Sequence, residues 1–305
     1  MNKPVIKLWF TDMWGYEQYQ FNKMDNYFND LFSMKYNVVL DEHNPDLLIY
    51  SCFSRNHLKY NGVCKKLFYS GENIVPVSDP HRKVNPDFNE CDMFMGKFPT
   101  DDRCYYHPLW VLFVNWFGKP QPRPYPSNPT FHTDLQSLLL KEHRNKKDRF
   151  CCFINNNPIQ DRVELFKGLH SYKHVDSYGH LFNNVGYALR GSEQAKIDVV
   201  QNYKFTIAFE NSFYPGYITE KIIHPYSVGS IAIYSGGLDT TVFNKKSMVY
   251  RDDYSTIQDV IEEVKRIDQN DDLYAEYMLQ PLFNENRIPE NFYPEQILKW
   301  IEERL

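Results

Sequence analysis

The sequence predicts an α/β protein of two doubly wound, Rossmann-like lobes facing a central cleft. Two observations carry that prediction: short apolar runs alternate with amphipathic or polar stretches, and the same rhythm returns after a proline-rich break. Length agrees, since 305 residues exceed one compact core and suit two domains of about 150 residues each.

In the first half, "VIKLWF", "YNVVL", "DLLIYS", "KKLFYS" and "CDMFMG" read as buried strands, with the helix-like "EQYQFNKMDNYFNDLF" after the first of them. The break is "GKPQPRPYPSNP" (118–129), in which five prolines fall within ten residues. Proline removes amide donors and favours extended backbone, so a boundary is placed at 130/131; a surface loop inside one lobe has the same composition. The expected domains are 1–130 and 131–305. Beyond the break come "FCCFI", a helix from Gln160 to His170, "KFTIAF", a helix at Thr219, "SIAIYSG" and "SMVYR". Helices at Thr256 to Ile267, Leu273 to Leu282 and Pro294 to Arg304 close the chain, the last as a tail expected to pack back on the first lobe.

Forty-two per cent hydrophobic and 16% aromatic residues suffice for globular cores, and 34 Lys and Arg against 39 Asp and Glu lack the basic excess of a nucleic-acid binder. The six cysteines show no C-x-x-C pair and no zinc spacing, so buried free thiols are expected. The longest apolar run, "LWVLFVNWF", is far below the ~18 residues of a membrane span. With "VIKLWF" beginning at residue 5 and no signal peptide, a cytoplasmic location is expected; peripheral membrane association is compatible with this. Neither G-x-G-x-x-G nor G-x-x-x-x-G-K-[ST] occurs.

The chemistry concentrates in "KFTIAFENSFYPGYITEKIIHPY". Glu210 and Asn211 follow a buried strand at its carboxyl end, where cleft residues of α/β sheets lie. Thr219 is the predicted N-cap, and Ile218 and Ile223 form a hydrophobic staple. Glu220 suits the positive end of a helix, but Lys221 in the first turn does not, because a helix N-terminus carries roughly half a positive charge. Phosphate oxygens, held by free amides, the helix dipole and an ammonium, are therefore expected against Lys221; the alternative is that Lys221 bends away into solvent or pairs with a nearby carboxylate. Pro225 should kink or stop this helix.

The stretch "FTIAFENSFYPGYITEKIIHPYSVGSIAIYSGG" resembles the α-1,3/4-fucosyltransferases, with weaker similarity in "FCCFINNNPIQDRVELFKGL", "VDSYGHLFNNVG" and "FYSGENI". The resemblance implies a two-lobed GT-B glycosyltransferase with an acceptor lobe before a donor lobe. It implies transfer of L-fucose, with inversion, from GDP-fucose to an N-acetylglucosamine-containing oligosaccharide or glycolipid. It also implies that Lys221 and Arg162 contact the donor diphosphate, Glu220 the fucose hydroxyls, and that Asn211 and Tyr217 line the donor pocket. Glu210 stands beside them as donor-orienting and as reserve base. Ser177 and Gly179 match a loop near the nucleotide. Glu72 matches the family's proposed base and lies after a strand and a glycine. The cysteine pairs and anchor of animal members are absent, which points to the soluble bacterial type.

No cofactor is required on this reading, and a divalent cation is at most a non-essential stimulant. The pairs "TDDR", "RDDY" and "NDDL" read as solvated acids, and His170, His174 and His180 lack third-ligand spacing, so no metal site is expected. Trp14, Tyr16, Trp110 and Trp116 read as core before sugar platform. Two alternatives stay open: a transferase of the same architecture using another nucleotide sugar, and a non-catalytic nucleotide-sugar or carbohydrate-binding module.

Overall fold

The computed structural model describes residues 3–14, 21–72, 87–96, 101–120, 133–139, 147–189 and 193–305. The chain divides into two compact units: one of Met1–Leu112, Trp116–Thr130 and Pro289–Leu305, the other of Phe113–Asn115 and Phe131–Ile288. The expected boundary at 130/131 lies outside the described residues, as do Tyr16 and most of the proline-rich stretch.

The first unit is built on a parallel sheet of β1 (Val5–Thr11), β2 (Asn37–Leu40), β3 (Leu47–Tyr50), β4 (Lys65–Tyr69), β5 (Met93–Gly96) and β6 (Cys104–Tyr106), in the order β2-β1-β3-β4-β5-β6. Burial on both faces makes the central runs strands, as in β3, where all four residues are buried, whereas β1 buries alternate residues and the edge strand β2 none. Helix α1 (Tyr27–Ser33) is shorter than the expected stretch. The Asn22 side chain accepts from the amides of Met24 and Asp25 at 2.9 and 3.2 Å, a local turn that competes with helix, and Asn26 then caps α1 through the Asn29 amide. Strand β6 has only three residues, too few to show a period.

The second unit holds a parallel sheet of β7 (Arg149–Phe153), β8 (Val175–Ser177), β9 (Tyr203–Phe209), β10 (Ile231–Ser235) and β11 (Val249–Tyr250), in the order β11-β10-β9-β7-β8. Its helices are α2 (Leu135–Leu139), α3 (Gln160–Tyr172), α4 (Glu193–Val200), α5 (Glu220–Ser227), α6 (Ile257–Asp268) and α7 (Asp271–Met278). Helix α6 shows why they form: Thr256 and Asp259 make a capping box, and Ile257, Val260, Ile261, Val264 and Ile267 bury one stripe in the core with Phe150, Phe205 and Ile233. Each such side chain contributes about 1.5–3 kcal/mol on burial, more than helix propensity differences supply.

Helix α8 (Pro294–Glu302) returns to the first unit, where it packs on α1 and its Glu302 accepts from Tyr36 at 2.6 Å. Strand β8 and helix α4 have no counterpart in the sequence reading. All six cysteines are free, five of them buried and Cys64 half-buried. No described helix is long and apolar enough to cross a membrane.

Candidate functional site

In the second sheet β8 and β9 flank β7 on opposite sides, so the loops beyond β7 and β9 diverge there. Ligands of open α/β sheets lie outside the strand carboxyl ends at such a point. A cavity of about 210 Å³ occupies it. Residues 155–157 after β7, Gly179 after β8, Asn211 after β9, Lys196 on α4, and Glu220, Lys221 and His224 on α5 line its wall. Gly179 is dictated by close approach: a Cβ there would stand 2.0 Å from the Asn155 carbonyl oxygen.

The start of α5 is built around Glu210, whose side chain is wholly buried. The Thr219 amide donates to Glu210 Oε1 at 2.8 Å, the Thr219 hydroxyl lies 2.8 Å from Oε2, and Tyr234 donates to Oε1 at 3.2 Å. Thr219 is the N-cap, as the sequence indicated, and Ile218 and Ile223 are fully buried. Helix α5 continues through Pro225, which neither stops nor interrupts it there, and ends two residues later, at Ser227.

Lys221 Nζ lies 3.2 Å from Thr219 Oγ1, 3.3 Å from Glu220 Oε1 and 3.4 Å from Glu210 Oε2. The alternative of a nearby carboxylate is thus present: Lys221 pairs with two carboxylates of its own chain. Burial pulls the Lys221 pKa down, but the two carboxylates outweigh it and hold the ammonium well above its ordinary value. Burial likewise opposes ionisation of Glu220, yet Lys221 and Lys196 hold its carboxyl well below the usual range. At Glu210 burial prevails and raises the pKa against the pull of Lys221.

Lys196, Glu193 and His224 complete the ionic arrangement, and sequence reasoning missed all three. Lys196 Nζ bonds Glu193 Oε1 at 2.8 Å and lies 3.9 Å from Glu220 Oε1; Glu193 Oε2 lies 3.5 Å from His224 Nδ1. Burial lowers the His224 pKa and favours the neutral ring. The one available signal was Glu193 and Lys196 at i, i+3 spacing, a pattern too common on helix surfaces to single out.

Arg162, for which the resemblance implied a diphosphate contact, makes its hydrogen bonds within the chain. It is fully buried, and its guanidinium donates to the carbonyls of Asn157, Phe209 and Glu210 at 2.9, 2.6 and 3.0 Å and to Asn211 Oδ1 at 3.3 Å. Burial lowers its pKa to about 10. Its reach ties the loop beyond β7 to the end of β9. Ser177 is also spent on structure, its hydroxyl donating to the Leu181 carbonyl at 2.6 Å, and Tyr217 is buried outside the cavity lining.

Glu72 belongs to the first unit, half-buried just beyond β4, with its amide donating to Ser70 Oγ at 3.2 Å. Gly71 before it leaves no room for a side chain: a Cβ would stand 2.6 Å from Leu109 Cδ1.

The remaining candidates have local partners. The Val175 amide donates to His170 Nδ1 at 3.2 Å, His174 pairs with Asp176 at 3.1 Å, and His180 is exposed. Asp101 pairs with Arg103, and Tyr250 donates to Asp252. Trp110 is buried, and Trp116 donates to the Val111 carbonyl at 2.8 Å. Among the described residues no group of three His, Cys, Asp or Glu side chains is arranged to hold a metal ion.

Comparison with known proteins shows the family and the fold. Residues 143–279 match the model of the glycosyltransferase family 10 (fucosyltransferase) C-terminal domain, and residues 8–113 that of the alpha-(1,3)-fucosyltransferase FucT N-terminal domain. The chain belongs to the family 10 fucosyltransferases. Among its relatives is the alpha-(1,3)-fucosyltransferase FucT of Helicobacter pylori, 26% identical over 92% of this chain and 61% of that protein. Another is the GDP-fucose protein O-fucosyltransferase 3 of Homo sapiens, 30% identical over 75% of this chain and 52% of that protein. The chain spans between 26% and 61% of the length of the first curated relatives it matches. An alpha1,3-fucosyltransferase crystal structure shares the fold, with a TM-score of 0.73 at 22% identity over 98% of this chain and 90% of that one. Both parallel sheets of this family 10 chain are thus those of a known fucosyltransferase fold, of the GT-B type that the resemblance implied.

Proposed function

We propose that the protein transfers L-fucose from GDP-fucose to a hydroxyl of an N-acetylglucosamine-containing glycan, with inversion, in an α-1,3 or α-1,4 linkage. One observation carries the reading: a cavity beyond β7 and β9 where Lys221 and the first turn of α5 meet, in a chain matched by fucosyltransferase models in both units. A fucosyltransferase of the same fold has been crystallised with GDP-fucose, with a TM-score of 0.71.

On this reading the diphosphate meets the Lys221 ammonium and the positive end of α5. Both oppose the charge that grows on departing GDP, a preorganised stabilisation that can be worth several kcal/mol in a water-poor site. Glu220 orients the fucose hydroxyls, with Asn211 beside it on the cavity wall. The acceptor hydroxyl attacks the anomeric carbon on the face opposite GDP and gives its proton to Glu72, and the C–O bond to the β-phosphate breaks with its electron pair leaving on GDP. No cofactor is asked of this scheme. A protein acceptor is the second reading, favoured by the human relative.

Thermal-shift measurements with GDP, UDP and CDP, followed by a GDP-release assay on GDP-fucose with N-acetyllactosamine or a folded protein acceptor, test both. Stabilisation by GDP above the other two, with release that depends on one acceptor, is the expected result. Equal stabilisation by UDP would instead support a transferase using another nucleotide sugar.

A further inference from the structure

Resting on that donor reading, we propose that Lys196 is a positioning residue for Glu220: the Glu193–Lys196 pair of α4 fixes the charge and direction of the carboxylate that meets the sugar. Two ammonium groups converge on one oxygen, Glu220 Oε1, with Lys221 at 3.3 Å and Lys196 at 3.9 Å. They differ in their other partners. Lys196 is fastened to Glu193 at 2.8 Å within one turn of α4, and Glu193 reaches across to His224 of α5 at 3.5 Å. Glu193 thus fixes where the Lys196 ammonium stands, and from there it faces Glu220 Oε1 as a second, more distant cation.

The charges around Glu220 are complete enough to assign a sign. Lys221 and His224 lie on its own helix, Lys196 and Glu193 on α4, and Glu210 at the end of β9. Helix α2, which also packs on α5, has no ionisable side chain, and β10 brings Tyr234 to Glu210. Removing Lys196 takes away one of two cations that keep Glu220 ionised. The Glu220 pKa then rises, and the acid limb of a profile that needs the carboxylate moves to higher pH.

The test compares wild type with Lys196→Met, Lys196→Arg and Glu193→Gln for GDP affinity by calorimetry, kcat with GDP-fucose, and the pH dependence of kcat. In Lys196→Met, kcat should fall about tenfold or more while the GDP Kd changes less than about twofold, the signature of a lost orienting contact. The acid limb should shift upward, and Lys196→Arg should restore both. If Lys196→Met does not melt cooperatively, Glu193→Gln, which frees Lys196 from its anchor but leaves both cations, carries the expectation of a lower kcat at unchanged GDP Kd, with the acid limb unmoved or displaced to lower pH. A parallel loss of GDP affinity in a cooperatively folded variant makes Lys196 a phosphate ligand and overturns the proposal, as does unchanged kcat with an unmoved acid limb. Wild type that binds no GDP overturns the donor reading itself, which is a different result from wild type that binds and transfers while the variants match it.

Discussion

Lys221 Nζ stands 3.4 Å from Oε2 of Glu210, a side chain with no exposure at all. A lysine in a first helical turn, which the helix dipole disfavours, is retained because a buried carboxylate at the end of the preceding strand faces it. Thr219 joins the two, capping the helix and donating to Glu210. A diphosphate arriving here shares an ammonium that is already engaged, so its affinity depends on how far Glu210 and Glu220 release it.

Glu72→Gln separates binding from chemistry. A positioned base contributes about 10²–10⁴ in rate, so kcat should fall by that order while GDP affinity, measured by calorimetry, stays unchanged. Retained turnover would move the base elsewhere, with Glu210 the first alternative.

Arg162→Met removes the guanidinium that three backbone carbonyls and Asn211 share. Leaving those buried acceptors without donors should cost roughly 3 kcal/mol or more in urea unfolding, because each unsatisfied group costs about 1–3 kcal/mol. Wild-type stability combined with lost GDP binding would return Arg162 to the diphosphate.

Gly179→Ala places a methyl 2.0 Å from a carbonyl oxygen and 2.6 Å from the carbonyl carbon and amide nitrogen of Asn155. Backbone on both sides cannot yield as a flexible side chain would, so the loops beyond β7 and β8 must part. A lower melting temperature together with weaker GDP binding is expected. An unchanged Kd would show that this approach does not shape the cavity.

Asp12 supplies a pH dependence in the first unit. Its carboxylate accepts from the amides of Asn56 and His57, each at 2.9 Å, and pairs with His57 Nδ1 at 2.7 Å. Burial pushes its pKa up, but the bonds to His57, Ser54 and the two amides prevail and lower it to about 2. A depressed folded pKa contributes stability above the unfolded value of about 3.9 that is lost as pH falls toward 2, an effect of about 2 kcal/mol. Asn tolerates the left-handed backbone that Asp12 adopts (φ 55°), so Asp12→Asn isolates the charge. Urea midpoints should show the variant weaker at pH 7 and the gap closing below pH 4; a gap independent of pH would assign the loss to hydrogen bonding alone.

Most strands were legible as short apolar runs, because burial of the central ones on both faces writes itself into composition. Strands β6 and β8, with three residues each, and the charged helix α4 carry too little period to be read. Within the site, Thr219, Glu220 and Lys221 were legible from capping and charge placement, since those are local. Lys196 and His224 were not, because their partners are set by how α4 packs on α5. Arg162 entered only through the resemblance, and its burial was not legible; nothing in "IQDRVE" shows that its side chain reaches the carbonyls of Phe209 and Glu210.

The most direct measurement is a calorimetric titration of GDP into wild type and Lys221→Met, each verified as folded by its melting curve. Wild type should bind GDP, and the variant should lose about ten- to a hundredfold in affinity, since a charge-assisted phosphate contact is worth about 1.5–3 kcal/mol. Equal affinity in the two proteins would show that this lysine does not hold the nucleotide and that the cavity beyond β7 and β9 is not the donor site.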